Sequence, residues 1–293
     1  MTLEQLRVFV AVAERQHVTR AAAALNMTQS TASAALAALE SRHGTRLFDR
    51  VGRGLALNDA GRTLLPYARE VLLAANRAEE ALSDLAGLRR GTLRIGASQT
   101  VASYWLPQRM VRFSEMHPLI DLTLEVQNTS QVAAAVLSGE ADLGLVEGPV
   151  RSPELEVTPI ATDSLALVAA ASHPLAGRDV GLDDLRGERW VMREVGSGTR
   201  QVAEESLKRL GFAPGEIRIA LELPSNEAVI SAVRTGGLLT VLSEVTVAAA
   251  LATGTLVRLP IELSTRSFSL VTHRERQQSQ AAQAFARMLL AGT

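Results

Sequence analysis

TRAAAALNMTQSTASAALAALESRHGTRLFDRVGR, residues 19–53, is the stretch that decides how the first part of this chain folds. Its apolar residues recur at spacings of three and four, as on the buried face of a helix. They are Ala22, Ala23 and Leu25 in a first segment, and Ala32, Ala35, Leu36 and Leu39 in a second. Asn26 and Met27 remain between the segments as a turn. The stretch therefore predicts two short helices that share one small core.

Hydroxyl residues mark where each helix begins. Thr19 and Thr28 precede the two apolar patterns, and a threonine hydroxyl at such a position accepts a hydrogen bond from a free backbone amide two or three residues further on. After the second helix, His43 and Gly44 predict a stop, because glycine readily takes the left-handed conformation that ends helices. The pattern is that of a helix-turn-helix.

The N-terminal end of the second helix carries side chains that core packing does not need. Gln29, Ser30 and Ser33 lie off the apolar stripe and are expected to face outward. In a helix-turn-helix these positions meet base edges in the major groove, where an amide pairs with adenine and a hydroxyl accommodates either base type. Helix capping alone is the alternative interpretation of Ser30 and Thr31.

A hairpin is predicted next. Residues 49–58, DRVGRGLALN, place Gly52 and Gly54 at its tip. Arg50 and Arg53 would extend from it toward phosphate or the minor groove, as from the wing of a winged helix. The alternative is a solvated turn with two incidental arginines.

A longer helix follows, for which Asn58 is the expected cap. Its apolar residues alternate in spacing between four and three, which is the seam of a coiled coil and favours self-association. The seam consists of Leu64, Ala68, Val71, Ala75, Ala78, Leu82 and Leu85. Pro66 should loosen the first turns, and residues 89–91 mark the end of the helix and a domain boundary.

Charge and composition set limits on the class of protein. The chain has 293 residues, a net charge of -1 and no cysteine, which excludes disulfides, thiolate metal sites and cysteine nucleophiles. Residues 1–90 hold 12 Arg against 9 acidic residues, so the first part is positive and the remainder is acidic. No apolar run is long enough for a membrane span, and the N-terminus does not resemble a secretory signal. We expect a cytoplasmic location and no membrane partner.

From Thr92 onward, short apolar strands alternate with helices, which predicts an α/β domain. Strands are predicted at 92–97, 121–127, 142–146, 155–160, 164–170, 189–193, 217–223, 238–242, 255–259 and 266–273. Helices are predicted near 105–116, 130–138, 199–210, 226–235, 244–252 and 276–290. Such sheets bind ligands beside the carboxyl ends of their strands.

Three predicted strand ends carry hydroxyls and free amides that suit an anion: Ser98–Thr100, Asn128–Ser130 and Gly196–Thr199. The last run, GSGT, lacks the lysine and spacing of a P-loop, and Val195 breaks the pattern of a nucleophile elbow. A capped helix start is an equally good interpretation of that run alone. The convergence of three such loops favours a ligand site.

The sequence resembles the LysR-type transcriptional regulators over its full length. The matching stretches are LEQLRVFVAVAE (3–14), the run from Thr19 to Leu65, HPLIDLTLE (117–125), SGEADLGLVEG (138–148), GSGTR (196–200) and AVRTGGLLTVLSE (232–244). The resemblance implies a winged helix-turn-helix, a linker helix that forms a homodimer, and an effector domain of two Rossmann-like subdomains, like a type 2 periplasmic binding protein. Assembly as a homotetramer is also implied. Domain limits are expected at 1–58, 59–90 and 91–293, with subdomain I at about 91–161 and 266–293 and subdomain II at about 162–265.

Functional positions follow from the same resemblance. DNA contact falls on Thr28, Gln29, Ser30, Thr31, Ser33, Arg50 and Arg53. Effector contact falls on Ser98, Thr100, Asn128, Thr129, Glu147, Gly148, Gly196, Ser197 and Thr199. Ser30 stands where the family commonly has proline. Ala34 stands where it commonly has arginine, a departure that removes the basic side chain from one base or phosphate contact. The GSGTR run resembles members that respond to small inorganic or phosphorylated anions.

The sequence thus predicts a DNA-binding transcriptional regulator controlled by a small, anionic effector. Its expected partners are double-stranded DNA, the effector and a second copy of the chain, with RNA polymerase as a further candidate. No catalytic residue, metal ligand or cofactor is expected, because the five histidines are scattered along the chain. The alternatives are a cytoplasmic solute-binding or enzymatic α/β protein, and a constitutive DNA binder without an effector.

Overall fold

The computed structural model describes residues 1–51, 54–85, 91–213 and 215–291. The chain divides into two compact units, Met1–Leu85 and Ala86–Thr293. Each unit has its own buried core, so each is described by itself.

The first unit is helical with one small hairpin. Its described elements are α1 (Leu3–Arg15), α2 (Val18–Ala24), α3 (Gln29–His43), β1 (Phe48–Val51), β2 (Gly54–Leu57) and α4 (Asp59–Leu85). The two strands are antiparallel, with Phe48 opposite Leu57. The core is formed by the inner faces of α1, α2 and α3, closed by the edge-on contact of Phe9 with Phe48 at 5.6 Å between ring centroids. The predicted helix-turn-helix and hairpin are confirmed.

Local side chains define most of these helix ends. Thr2 and Gln5 form a reciprocal capping box at the start of α1. Thr28 accepts from the Thr31 amide at the start of α3, and Gly44 ends that helix with a φ of 61°. The prediction for Thr19 was wrong: α2 begins at Val18 after an extended His17, with no side-chain cap. Val18 packs against the core, and the helix begins two residues earlier than a cap at Thr19 would allow.

The prediction that Ala23 of α2 lies in the core is also wrong. Ala23 is exposed, whereas Ala21 is fully buried beside Ala22. The run of four alanines offers no difference in polarity between its two sides, so the sequence does not set the rotation of this short helix. Contacts with α1 and α3 set it instead.

The long helix α4 begins as predicted, with the Asn58 side chain accepting from the Gly61 amide at 2.9 Å. Pro66 lies inside it. Leu64 and Ala68, the first two positions of the predicted seam, pack into the core of the same unit, whereas Val71 is 42% exposed. The side chains of the last two seam positions, Leu82 and Leu85, lie outside the described part of the chain.

The second unit contains two five-stranded mixed sheets, which we call lobe I and lobe II. Lobe I has strands β3 (Gly91–Ser98), β4 (Ile120–Gln127), β5 (Leu143–Val146), β6 (Leu155–Asp163) and β12 (Arg266–His273), and helices α5 (Leu106–Met116), α6 (Thr129–Ser138) and α11 (Gln280–Ala291). Lobe II has strands β7 (Leu165–Ala170), β8 (Arg189–Arg193), β9 (Arg218–Leu223), β10 (Leu239–Ser243) and β11 (Leu256–Arg258), and helices α7 (Leu182–Leu185), α8 (Gly198–Arg209), α9 (Asn226–Val233) and α10 (Glu244–Ala252).

Strand order explains why the chain crosses between the lobes twice. Lobe I has the order β4-β3-β5-β12-β6 and lobe II the order β11-β7-β10-β8-β9. β3 is parallel to β4 and β5, while β12 returns antiparallel between β5 and β6. The two crossings therefore follow β6 at Asp163 and precede β12 at Arg266. The ends of these two strands meet at the junction of the lobes.

The predicted strands are confirmed, with small shifts at their ends. β6 continues to Asp163, three residues beyond the prediction. α5 is preceded by a π-helical turn at Val101–Trp105, and α11 begins at Gln280, four residues later than predicted. The short helix α7 was not predicted. β5, LGLV, is buried at every position, as expected for a strand covered on both faces.

Candidate functional site

The start of α3 presents a compact group of hydroxyls. The Thr28 hydroxyl accepts from the Thr31 amide at 3.2 Å and lies 2.9 Å from the Ser30 hydroxyl and 2.8 Å from that of Thr31. All three side chains are exposed. The same hydroxyls thus cap the helix and remain open to an incoming partner.

Gln29 and Ser33 lie one turn apart on the outer face of α3. The Gln29 amide donates to the Ser33 hydroxyl at 2.8 Å, which orients the amide along the helix. Ala34 is exposed next to them and offers only a methyl group. The buried side of the helix carries Ala32, Leu36 and Leu39. A narrow polar face bordered by small side chains can approach a groove floor closely.

The hairpin is attached to the end of α1. The Leu55 amide donates to the Gln16 carbonyl at 3.1 Å, which fixes β2 against the turn before α2. Arg50 is exposed on β1. Arg53, the other predicted DNA contact in the hairpin, lies outside the described residues.

In the second unit, Glu147 is the centre of a buried network. Its carboxylate accepts from the Ser98 hydroxyl of lobe I through one oxygen and from the Thr199 hydroxyl of lobe II, at 3.2 Å, through the other. Glu147 is 3% exposed, and both hydroxyl residues are 1% exposed. One carboxylate therefore links the two lobes.

Burial raises the pKa of Glu147 above its ordinary value. Arg266, the Thr199 hydroxyl and Arg193 act in the opposite direction but do not cancel the effect of burial. The position thus holds a carboxyl group that is costly to keep ionised.

Arg266 extends this network across the junction. Its guanidinium donates to the Thr199 hydroxyl at 3.0 Å and to the Asp163 carboxylate at 2.7 Å. Asp163 also accepts from the Ser243 hydroxyl at 2.7 Å. Arg266 and Asp163 flank the two chain crossings, and their side chains are only 2% exposed. The second Arg266 terminal nitrogen has no hydrogen-bond partner among the described residues.

A parallel connection joins Thr100 to lobe II. The Asn226 side chain donates to the Thr100 hydroxyl at 3.2 Å and accepts from Arg193 at 2.7 Å. The Asn226 amide donates to the Gln99 side chain at 2.8 Å. These partners were not predicted, because Asn226 and Arg193 lie in segments that carry no motif.

The remaining predicted effector residues form the contact between the lobes. Asn128 caps α6 and Ser197 caps α8, and the Ser130 amide donates to the Gly196 carbonyl at 3.2 Å. Gly148 and Gly198 meet so closely that a Cβ on Gly148 would lie 2.4 Å from the Gly198 Cα, and one on Gly198 would lie 2.4 Å from the Thr129 hydroxyl. The three predicted loops are thus neighbours, and their part in effector binding stays a prediction.

The described residues contain no group of three or more His, Cys, Asp or Glu side chains arranged to hold a metal ion. None of their helices combines the length and hydropathy needed to cross a lipid bilayer.

Comparison with known families accounts for both units. Residues 3–62 match the model for the bacterial regulatory helix-turn-helix protein, lysR family, and residues 86–293 match the LysR substrate binding domain. A RuBisCO operon transcriptional regulator from Allochromatium vinosum is 38% identical over 293 residues, which cover 99% of this chain and 96% of that protein.

Two solved structures resemble the fold. Full-length CbnR complexed with its target DNA is 24% identical, with a TM-score of 0.74 and 100% of each chain covered. The Synechocystis CcmR regulatory domain in complex with 2-PG is 30% identical, with a TM-score of 0.63, and covers 70% of this chain and 98% of that one.

A helix-turn-helix unit followed by a two-lobed small-molecule-binding domain defines a DNA-binding regulator that responds to a metabolite. This chain belongs to the LysR family of bacterial helix-turn-helix transcriptional regulators.

Proposed function

We propose that a small anionic metabolite binds between lobes I and II and changes how the chain engages its DNA sites. The observation that carries this proposal is the convergence of hydroxyls from both lobes on one carboxylate, that of Glu147. A pocket that already satisfies an internal carboxylate has the donors that an external carboxylate or phosphate needs. Helices α6 and α8 also begin beside this contact, and their N-termini favour negative charge.

The effector would replace Glu147 as the acceptor of these hydrogen bonds. Ser98 and Thr199 would donate to it, and the unpartnered nitrogen of Arg266 supplies a further donor with positive charge. Glu147 has a raised pKa, so proton uptake lets it give up this position without leaving two negative charges side by side. Binding would then shift the balance between two arrangements of the lobes by the difference in their affinities.

The CcmR regulatory domain, which is 30% identical to this chain, was solved with 2-PG. We therefore choose 2-PG as the first compound to test on this chain. The predicted contacts are Ser98, Thr100, Asn128, Thr129, Glu147, Gly148, Gly196, Ser197 and Thr199.

For the DNA site, we propose direct base contact by Gln29, Ser30 and Ser33, with Thr28 and Thr31 ordering the start of α3. Arg50 and Arg53 would contact phosphates from the wing. Ala34 supplies no charge, so specificity depends on the amide of Gln29 more than on a basic side chain in this helix.

We propose the domain division 1–58, 59–90 and 91–293, with the junction of the two subdomains near 162 and 266. Self-association would use the α4 seam from Val71 onward, because Leu64 and Ala68 are occupied within their own unit. The chain would act in the cytoplasm as a homodimer or homotetramer, would have no catalytic activity, and would communicate with RNA polymerase.

Footprinting of the full-length chain on its operator, with and without 2-PG, tests the effector proposal. We expect the protected region to change with 2-PG in wild type and to stay constant in Ser98→Ala and Thr199→Val. Thr158→Val, on β6, is the matched control and should respond like wild type. The proposal would be overturned, in favour of a constitutive DNA binder, if neither 2-PG nor any of a panel of other small carboxylates and phosphates changed the footprint or the melting temperature from the values without ligand.

A further inference from the structure

A cavity of about 890 Å³ lies beside the contact between Gly148 and Gly198, with Thr129 and Pro149 among its lining residues. Of the proposed effector contacts, only Thr129 lines it, so the cavity adjoins the proposed effector site without including Ser98, Thr100, Glu147 or Thr199. Its walls come from α6 and residues 149–152 of lobe I, and from β8, α8 and β9 of lobe II. Its size is that of a typical small-molecule pocket.

The walls are mainly apolar. They include Ala133, Leu137, Met192, Phe212, Ile217 and Ile219. Contact between these apolar walls and water is unfavourable, so a ligand that fills this cavity would need an apolar body to cover them.

Two basic and two acidic side chains line the cavity, and the acidic ones are engaged in ion pairs. Arg151 and Lys208 both line it, are exposed, and form no ion pair with another described residue. The two acids that line it are already paired, Glu204 with Arg200 at 2.7 Å and Glu205 with Arg209 at 3.8 Å. Lys208 is also the only lysine in a chain with 30 basic Lys and Arg residues.

Two polar atoms at the end of the cavity nearest Gly148 and Gly198, its inner end, have no hydrogen-bond partner among the described residues. The Thr129 hydroxyl is buried without a hydrogen bond, although the residue is only 1% exposed. The side-chain oxygen of Gln201 is likewise buried and unpartnered. Buried polar atoms are normally satisfied, so these two indicate a place for a polar group of a ligand.

We propose that this cavity is a second ligand site, for an amphipathic organic anion with a carboxylate head and an apolar body. The head would lie between Arg151 and Lys208, and the body would cover the apolar walls. A polar substituent at the inner end would satisfy Thr129 and Gln201. Because both lobes form the walls, an occupant stabilises the arrangement of lobes in which the cavity exists.

The single lysine provides a specific probe for this site. Reductive methylation of the full-length chain with ¹³C-formaldehyde labels Lys208 and the N-terminal amine and leaves both positively charged. Titration with octanoate should shift the Lys208 resonance saturably and leave the N-terminal resonance in place. Acetate, which has the charge without the body, and octan-1-ol, which has the body without the charge, should each bind at least roughly tenfold more weakly.

Variants separate the site from general binding. Arg151→Gln should weaken octanoate binding roughly fivefold, the upper range for an exposed ion pair. Arg112→Gln, at an exposed arginine on α5 that does not line the cavity, should not change it. Ala134→Phe, which fills the cavity from α6, should abolish the saturable shift. If Ala134→Phe does not fold, the Arg151→Gln comparison still decides. An octanoate curve that matches that of acetate, or equal octanoate curves for Arg151→Gln and Arg112→Gln, would overturn this proposal without affecting the effector site at Ser98 and Thr199.

Discussion

The two polar surfaces of this protein differ in how their side chains are satisfied. At the start of α3, the side chains of Gln29, Ser30 and Ser33 form hydrogen bonds to neighbours within one helical turn, and Gln29 and Ser30 are exposed while Ser33 is half-buried. At the junction of the lobes, Glu147 and Arg266 are almost fully buried and bond to residues far along the chain. The first surface can bind a partner without rearrangement, and the second cannot.

This difference separates the surface proposed to recognise DNA from the site proposed to respond to the effector. An exposed amide exchanges a water or an intrahelical partner for a base edge at small cost. A buried carboxyl must be replaced by another acceptor before its donors are free, because unpaired buried donors are costly. At the junction of the lobes, effector binding is therefore coupled to the arrangement of the lobes.

The largest effect is expected from removal of the buried ion pair between Arg266 and Asp163. Arg266→Met should lower the free energy of unfolding by about 3–5 kcal/mol, since it leaves Asp163 buried without its partner. Urea unfolding of the full chain, followed by fluorescence of its two tryptophans, Trp105 and Trp190, measures this. Arg186→Met, which breaks an exposed pair with Asp183, should change it by no more than about 0.5 kcal/mol. Equal losses in the two variants would show that the buried Arg266–Asp163 pair contributes no more to stability than an exposed pair does.

An intermediate effect is expected on the exposed surface. Gln29→Ala should reduce discrimination between operator and scrambled DNA by roughly 1–3 kcal/mol, the value of a good amide contact to a base. The melting temperature should stay close to that of wild type, because the bond lost to Ser33 is exposed. Fluorescence anisotropy with both duplexes gives the discrimination, and Ser41→Ala at the other end of α3 is the control. An equal loss of affinity for both duplexes would instead assign Gln29 to phosphate contact.

The smallest effect concerns protonation of Glu147. Because its folded pKa is raised, this group contributes stability in full below its ordinary pKa and loses that contribution as the pH rises through the raised value. Glu147→Gln keeps a neutral side chain, so its melting temperature should fall less than that of wild type over the same range. Melting curves from pH 4 to pH 8 measure the difference. Glu115→Gln, at an exposed carboxyl on α5, should follow wild type, and identical pH profiles for all three proteins would contradict the buried origin of the effect.

Local chemistry was enough to predict much of this fold. The hydroxyl and glycine ends of α3, the fully apolar β5 and the alternation of strands and helices each follow from short-range patterns. The failures arose where the pattern was uniform or the decisive contact was distant. The alanines of α2 do not define a buried face, and the core contact of Val18 overrode the capping preference of Thr19.

The partners at the lobe junction could not have been read from sequence. Arg266 and Asp163 are separated by 103 positions, and only the two chain crossings bring them together. Glu147, Ser98 and Thr199 were identified as candidates, but their direct mutual bonding depends on how far the lobes close. That distance is a property of tertiary packing, for which no local signal exists.

The contact between Gly148 and Gly198 limits how closely the two lobes can approach each other. Their backbones touch where any side chain would collide, so the closest approach of the lobes is limited by two α-hydrogens. A methyl group at either position would act as a spacer and keep the two lobes further apart. Two residues without side chains therefore determine how far the lobes of the regulator can close, in addition to any effect on its ligand preference.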